Sequence, residues 1–230
     1  MMRLVLLLIA IAALTPSAGY AQGVDVGEQL LARGASAAFA DAVADLVATA
    51  RGEGLPTDPI ADKAFEGWAK RAFVAPERVL TVLAELATRL RAGRDATVTA
   101  GLDPPPGSVV AAAAEALGRG LTADQVRAVI EAAPAPEVAA VGLLTASALA
   151  AQGLETAAAV KAVEDAYRSG RPPEEVLELP SAVAGLLAQG LVPADVARHI
   201  LEGGQILIPV TPARGPITDL PRPPKRPRRR

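Results

Sequence analysis

The sequence predicts an all-α protein of short helical hairpins, stacked as an irregular helical repeat or bundle and followed by a disordered C-terminal tail. Three observations carry this. Between residues 34 and 203 apolar residues recur at helical spacing, and no run of β-branched or aromatic residues alternates with polar ones as in a half-buried strand. Helix starts and stops recur in fixed chemical forms. From residue 204 to 230 the apolar period is lost and the chain becomes proline-rich and basic.

The N-terminus, MMRLVLLLIAIAALTPSAGYAQG, has one positive charge at Arg3, an apolar run from Leu4 to Leu14, a breaking Pro16 and then small residues. That is the layout of a secretory signal peptide. Gly19 and Ala21 meet the small-residue requirement for cleavage before Gln22, so residues 1–21 are expected to be removed. The eleven apolar residues are fewer than the ~20 that a spanning helix needs. Later stretches without charge, the longest of which runs over residues 138–154, also fall short of that length, so the mature chain is expected to have no transmembrane span and to be periplasmic or secreted. With no cysteine it cannot be anchored as a lipoprotein or held by disulfides, and packing alone must stabilise it.

The body, residues 22–203, opens on ASAAFADAVADLVATA. Phe39, Val43, Leu46, Val47 and Ala50 follow one helical face, with Asp41 and Asp45 off it. The next stretch, GLPTDPIADKAFEGWAKR, holds the chain's one tryptophan, Trp68, and a mid-helix Gly67 on the face of Ile60 and Ala64. Such a glycine costs ~1 kcal/mol against alanine, which predicts a close helix crossing there. Glu66 and Lys70 form an i,i+4 pair in the favourable order.

Later helices announce themselves at their ends. APERV at 75–79, PPEEV at 172–176 and VPADV at 192–196 each put proline at the first helical position, where no hydrogen bond is lost, and acid next to it, where it complements the helix dipole. In GLTADQV, Thr122 and Gln125 form a capping box and Leu121 can staple onto Val126. The Gly-Leu pair repeats at 54, 153 and 190, reading as a glycine stop followed by a leucine that starts the next helix. Pro180 should kink or end the helix that starts near Pro173. DPPPGS at 103–108 reads as a rigid turn and the best sub-boundary between a front and a back half.

A longer repeat overlies these signals. KAFE at 63–66 matches KAVE at 161–164, and PERVL at 76–80 matches PEEVL at 173–177, offsets of 98 and 97 residues. The second copy keeps the ion pair as Glu164 and Arg168 but puts Asp165 where the first has Gly67. A pair copied with a conservative cation reads as helix-surface chemistry, so Glu66, Lys70, Gly67, Trp68, Glu164 and Arg168 are assigned structural roles, the stretch around Trp68 being a joint.

Charge is polarised. The net charge of minus 2 conceals a tail, residues 213–230, with seven basic residues and one acid, against a body with 15 basic and 24 acidic ones. Within PRPPKRPRRR, residues Arg222, Lys225, Arg226, Arg228, Arg229 and Arg230 ride on a polyproline-like backbone, which suits an anionic surface, polymer or acidic envelope protein. Nucleic acid is disfavoured, because no aromatic residues interleave with the charges to stack bases.

Several chemistries lack their parts. With no Cys and one His there is no Cys–His pair, and no serine stands in a GxSxG turn to use His199. His199 lies in a last helical turn, where the dipole favours a surface histidine. One imidazole and no thiolate leave only carboxylates, which all but excludes zinc; DVGE at 25–28 and the surroundings of Asp103 lack the pattern of a calcium loop; no GxxxxGK[ST] or strand-linked GxGxxG occurs. No cofactor is expected, and catalytic and metal residues are assigned to none. A helical enzyme using paired carboxylates stays as an alternative, though three Phe, two Tyr and one Trp supply few platforms for a sugar cleft.

GLPTDPIADKAFEGWAK followed by APERVLTVLAELATRL resembles a pattern of uncharacterised, predicted exported bacterial all-helical proteins: a Gly-Leu-Pro turn, a Pro-led helix with Lys-Ala-x-Glu-Gly-x-x-Lys, and a Pro-Glu-Arg-Ile/Val helix. The resemblance covers residues 54–90. It implies export and an all-helical fold, and it brings no activity, ligand or catalytic residue. Phe73 and Val74 stand where the pattern has a tighter glycine-containing turn, which predicts a looser loop here. The function expected is that of an exported, non-enzymatic envelope protein acting as a binding or structural scaffold, or else as a peripheral binder of anionic lipid or polymer through its tail.

Overall fold

The structure, a computed structural model, describes residues 25–204 and 206. The expected signal peptide and nearly all of the tail, including Arg222, Lys225, Arg226, Arg228, Arg229 and Arg230, lie outside the described residues. The fold is all-α. Eleven helices occur among the described residues: α1 (Val26–Ala32), α2 (Ala37–Gly52), α3 (Asp58–Ala69), α4 (Pro76–Thr99), α5 (Gly107–Gly118), α6 (Ala123–Ala132), α7 (Pro136–Ala151), α8 (Thr156–Arg168), α9 (Pro173–Leu177), α10 (Leu179–Ala188) and α11 (Pro193–Leu201). None of them is long and apolar enough to cross a membrane.

The helix ends follow local chemistry. Pro76, Pro173 and Pro193 each begin a helix, with Glu77, Glu174 and Asp195 in the first turns. The capping box of α6 is complete: Gln125 N–H donates to Thr122 Oγ1 at 3.2 Å, and Thr122 N–H donates to Gln125 Oε1 at 2.9 Å. Stops are made by left-handed glycines such as Gly54 (φ 72°) and Gly120 (φ 92°). Beyond each, a leucine N–H reaches back five residues, Leu55 to Ala50 O at 2.9 Å and Leu121 to Ala116 O at 3.1 Å, and the leucine side chain is buried. Pro180 acts as expected: α9 ends at Leu177 and α10 restarts at Leu179, with Glu178 between them.

Two departures from the sequence reading concern the ends of the body. Helix α1 starts before residue 34, capped by Asp25, whose Oδ1 accepts from Gly27 N–H at 2.8 Å, and it buries Leu30 completely. At the other end, the body runs past Gly203 to Ile206, which is 7% exposed and packs with the core of the back half.

Two apolar cores result. The front one gathers α1 to α4; the back one gathers α6 to α11 together with Ala96 from the end of α4. Helix α5 serves both, because alanine on several faces lets it be buried on several sides: Val110 and Ala114 join the front core, while Val109, Ala112, Ala113 and Ala116 join the back one. Its packing against α4 and α7 is the most extensive in the molecule. The turn at 103–108 therefore separates α4 from α5 along the chain but not in space. The α4–α5 approach is backbone to backbone, since a Cβ on Gly93 would lie 2.8 Å from the carbonyl oxygen of Val110 and 2.9 Å from the nitrogen of Ala114.

The matching stretches 63–66 and 161–164 fall in helices α3 and α8, in unequal settings. Helix α3 buries Ile60 and Ala64; α8 buries seven residues, among them Val163 and Tyr167, in the middle of the back core. The first copy continues into one 24-residue helix, α4, whereas in the second Pro180 divides the equivalent segment into α9 and α10.

Candidate functional site

The best-defined constellation of side chains surrounds Trp68, where α1, α2, α3 and α4 meet. Helix α3 carries Phe65, Glu66, Gly67 and Trp68 in succession, so a single turn presents residues to three directions. Toward α4, a Cβ on Gly67 would lie 2.9 Å from Cγ2 of Val79 and closer still to Cγ1, so the absence of a side chain is what admits Val79. This is the close crossing that the mid-helix glycine predicted. Toward α2, the half-buried indole of Trp68 stacks on Phe39 with ring centroids 5.5 Å apart and an interplanar angle of 27°. Toward the end of α1, Trp68 Nε1–H donates to the carbonyl of Arg33 at 3.1 Å.

Cations cover the aromatic rings. The Arg33 guanidinium lies 4.1 Å from the centre of the Phe65 ring, and that of Arg71 lies 4.9 Å from the Trp68 ring. Arg71 Nη1–H also donates to Trp68 O at 3.2 Å, closing the end of α3. On the outer face, Glu66 is gripped by Lys63 at 2.5 Å and by Lys70 at 2.6 Å. Hydrogen bonds first from Lys63 and then from Lys70 hold its carboxyl down at about 2. In the second copy Arg168 reaches Glu164 at 2.6 Å and Asp165 at 3.0 Å, while Lys161 reaches Asp165 at 2.7 Å. Where α3 uses a glycine to receive another helix, α8 uses a carboxylate to bind its own cations.

A second clamp was not singled out from the sequence. Glu53, the C-cap of α2, accepts from Arg91 Nε at 2.6 Å and Nη2 at 3.0 Å, and its carbonyl accepts from Arg94 Nη1 at 2.8 Å. The Arg91 guanidinium holds the Glu53 carboxyl below the usual range. Nothing in the spacing marks the pair, because its members stand 38 residues apart. The glycines of the other joints, Gly93 and Gly142, carried the same mid-helix signal as Gly67.

Open hollows lie away from Trp68, one of about 670 Å³ lined by Leu154, Glu155, Ala197, Arg198 and Leu201 and one of about 350 Å³ lined by Asp95, Thr99, Asp124 and Arg127. A depression lined by Asp165, Ser169, Arg171, Ile200 and Ile206 has a volume of about 20 Å³, room for one water. Arg171 Nη2–H donates to Ile206 O at 3.4 Å across it, so it is the seat of the body's last residue. His199 is exposed in the last turn of α11, and its ring lies over Gly204, where a Cβ would overlap the imidazole. Among the described residues no cluster of three or more His, Asp or Glu is placed to hold a metal ion. The geometry is that of a mechanical joint, with ring stacking, one buried crossing and ion pairs on the outside. The chain matches no protein-family model, and no curated protein or solved structure matches it.

Proposed function

We propose that the protein is an exported, non-enzymatic component of a bacterial envelope that acts as a binding or structural scaffold. The observation that carries the reading is the molecule's polarity. A helical body with 15 basic and 24 acidic residues is followed by a tail with seven basic residues and one acid, behind an N-terminus laid out as a signal peptide. The joint at Trp68 supports it, since its conspicuous side chains are occupied by one another. The cations of the tail favour a second reading, in which the protein is a peripheral binder of anionic lipid or polymer.

Expression of residues 1–230 in a Gram-negative host tests export. The expected product is periplasmic or secreted and begins at Gln22; an uncut chain retained in the cytoplasm sinks both readings. Capture from envelope extracts, with the exported chain and with one ending at Ile206, then separates them. Because Ile206 belongs to the core, the cut must fall after it. A partner kept by the shortened chain supports the scaffold, and a salt-sensitive partner lost with residues 207–230 supports the tail.

A further inference from the structure

Phe73 is the most exposed large apolar side chain among the described residues, with 93% of its surface in water; the next, Val192, has 53%. It occupies the six-residue turn from Lys70 to Ala75 between α3 and α4. The turn is not slack. Phe73 N–H and Val74 N–H both donate to Lys70 O, at 2.9 and 3.1 Å, and the two helices it joins are locked where Val79 enters Gly67. The ring is thus held outward by ordered backbone.

The charge around it opposes that of the body. Residues 63–78 contain Lys63, Lys70, Arg71 and Arg78 against Glu66 and Glu77, in a body that is otherwise strongly acidic. Arg33 joins them from the end of α1 through its contact with Phe65. Among the described residues Arg33, Arg71 and Arg78 have no carboxylate partner, and Glu66 is already saturated by two ammonium groups. The remaining acids of α3, Asp58 and Asp62, lie two turns or more from Lys70 toward the other end of the helix.

We propose that this turn is an interfacial anchor for an anionic bilayer, with Phe73 inserted at the acyl-chain boundary and Arg71, Arg78 and Arg33 facing lipid phosphates. An exposed aromatic ring, with Lys70 and Arg71 just before it in the chain and Arg78 just after it, has the composition that partitions into a membrane interface. The acidic remainder of the body is repelled by the same surface, which orients the molecule with the turn inward. A nucleic acid would use the cations and could stack one base on Phe73, but successive bases need successive platforms, and the neighbouring rings of Phe65 and Trp68 are already covered by Arg33 and Arg71. The anchor belongs to the folded body and not to the tail, so either can fail without the other.

The test uses residues 22–230 and vesicles of phosphatidylcholine with or without phosphatidylglycerol, part of the lipid carrying brominated acyl chains. Phe73→Trp adds a second indole to the chain. With phosphatidylglycerol present its emission should shift to the blue and be quenched by bromine, beyond any change shown by the parent chain with Trp68 alone. Phe73→Ser should lower partitioning into the same vesicles about tenfold, and Arg71→Gln with Arg78→Gln should lower it in a salt-dependent manner. All three positions are exposed; because Arg71 also closes α3 through Trp68 O, Phe73→Ser, whose side chain makes no such bond, is the deciding variant, and its helix content should not change. The anchor is overturned if Phe73→Ser partitions like the parent, if the added indole is unquenched while the chain sediments with vesicles, or if no vesicle binds. It is equally overturned if Phe73→Ser loses an oligonucleotide or an acidic protein but no lipid.

Discussion

Each half of the molecule closes its packing on a glycine in the middle of a helix, and the two glycines receive different guests. In the front half, Gly67 of α3 receives the methyl groups of Val79. In the back half, Gly142 of α7 receives the ring of Tyr167, a Cβ there lying 2.8 Å from the ring and its hydroxyl and 2.9 Å from Cγ1 of Val129. The first guest is aliphatic and comes from the next helix in the chain. The second has a polar tip, which donates to Val138 O at 3.0 Å and so ties α8 to the start of α7. These two mid-helix glycines mark where helices cross, unlike Gly185 inside α10, which has nothing within 4 Å, and the guest decides whether the crossing is only steric or also polar and able to titrate.

The place where the halves meet should show the largest effect. Gly93 faces the backbone of α5, which cannot rotate aside as a side chain can. Gly93→Ala should lower unfolding stability by about 2–3 kcal/mol despite alanine's better helix propensity, read as a shift in the urea midpoint followed by circular dichroism. Truncating a neighbouring side chain should not restore it. If Gly93→Ala is neutral, α4 and α5 do not touch through their backbones, and the two cores are less tightly joined than described.

In the back half, Gly142→Ala should cost about 1–2 kcal/mol, because the Tyr167 ring is pinned by its hydroxyl and Val129 closes the other side. In the front half, Gly67→Ala should cost about 1 kcal/mol, the overlap with Val79 exceeding the gain in helix propensity. The sign should reverse in a Val79→Ala background, where the added methyl fills the space vacated and Gly67→Ala becomes stabilising by up to ~1 kcal/mol. A double-mutant cycle on Gly67 and Val79 measures this directly. Additive costs would separate the glycine from its assigned guest.

These joints also mark how far the sequence could be read. Chemistry confined to a few residues was legible: the Thr122–Gln125 box, the prolines that open α4, α9 and α11, the break at Pro180, and the outer pair Glu66–Lys70 with its copy Glu164–Arg168. Gly67 was legible because one unexplained glycine interrupts a helical face. Helix α1 was not, since it is seven residues long and only Leu30 of its large side chains is deeply buried. The division of α5 between two cores was hidden for another reason: alanine on every side states no preference for a neighbour. The repeat was legible as caps and ion pairs but not as environment, for α3 lies at the rim of one core and α8 at the centre of the other. The Glu53–Arg91 clamp required the fold, because only packing brings α2 and α4 together.

The smallest effect is absent at neutral pH and separates the two joints by titration. Tyr167 is the one tyrosine between residues 22 and 230, the other being Tyr20, so a phenolate absorbance titration of a chain comprising residues 22–230 reports this group alone. Burial pushes its hydroxyl up to about 12, against a smaller opposing contribution from the backbone of Gly142. Because the folded value is raised above the ordinary one, near 10, the neutral phenol is the form that the fold favours. Its contribution is fully present below about pH 10 and is lost as pH rises through about 12. The native chain should ionise late, the urea-unfolded chain near 10, and alkaline unfolding should begin in the interval. Tyr167→Phe should remove that dependence, whereas Gly67→Ala should leave the titration unchanged. A native titration near 10 would mean that the ring is not seated on Gly142, and the back joint would then lack the guest assigned to it.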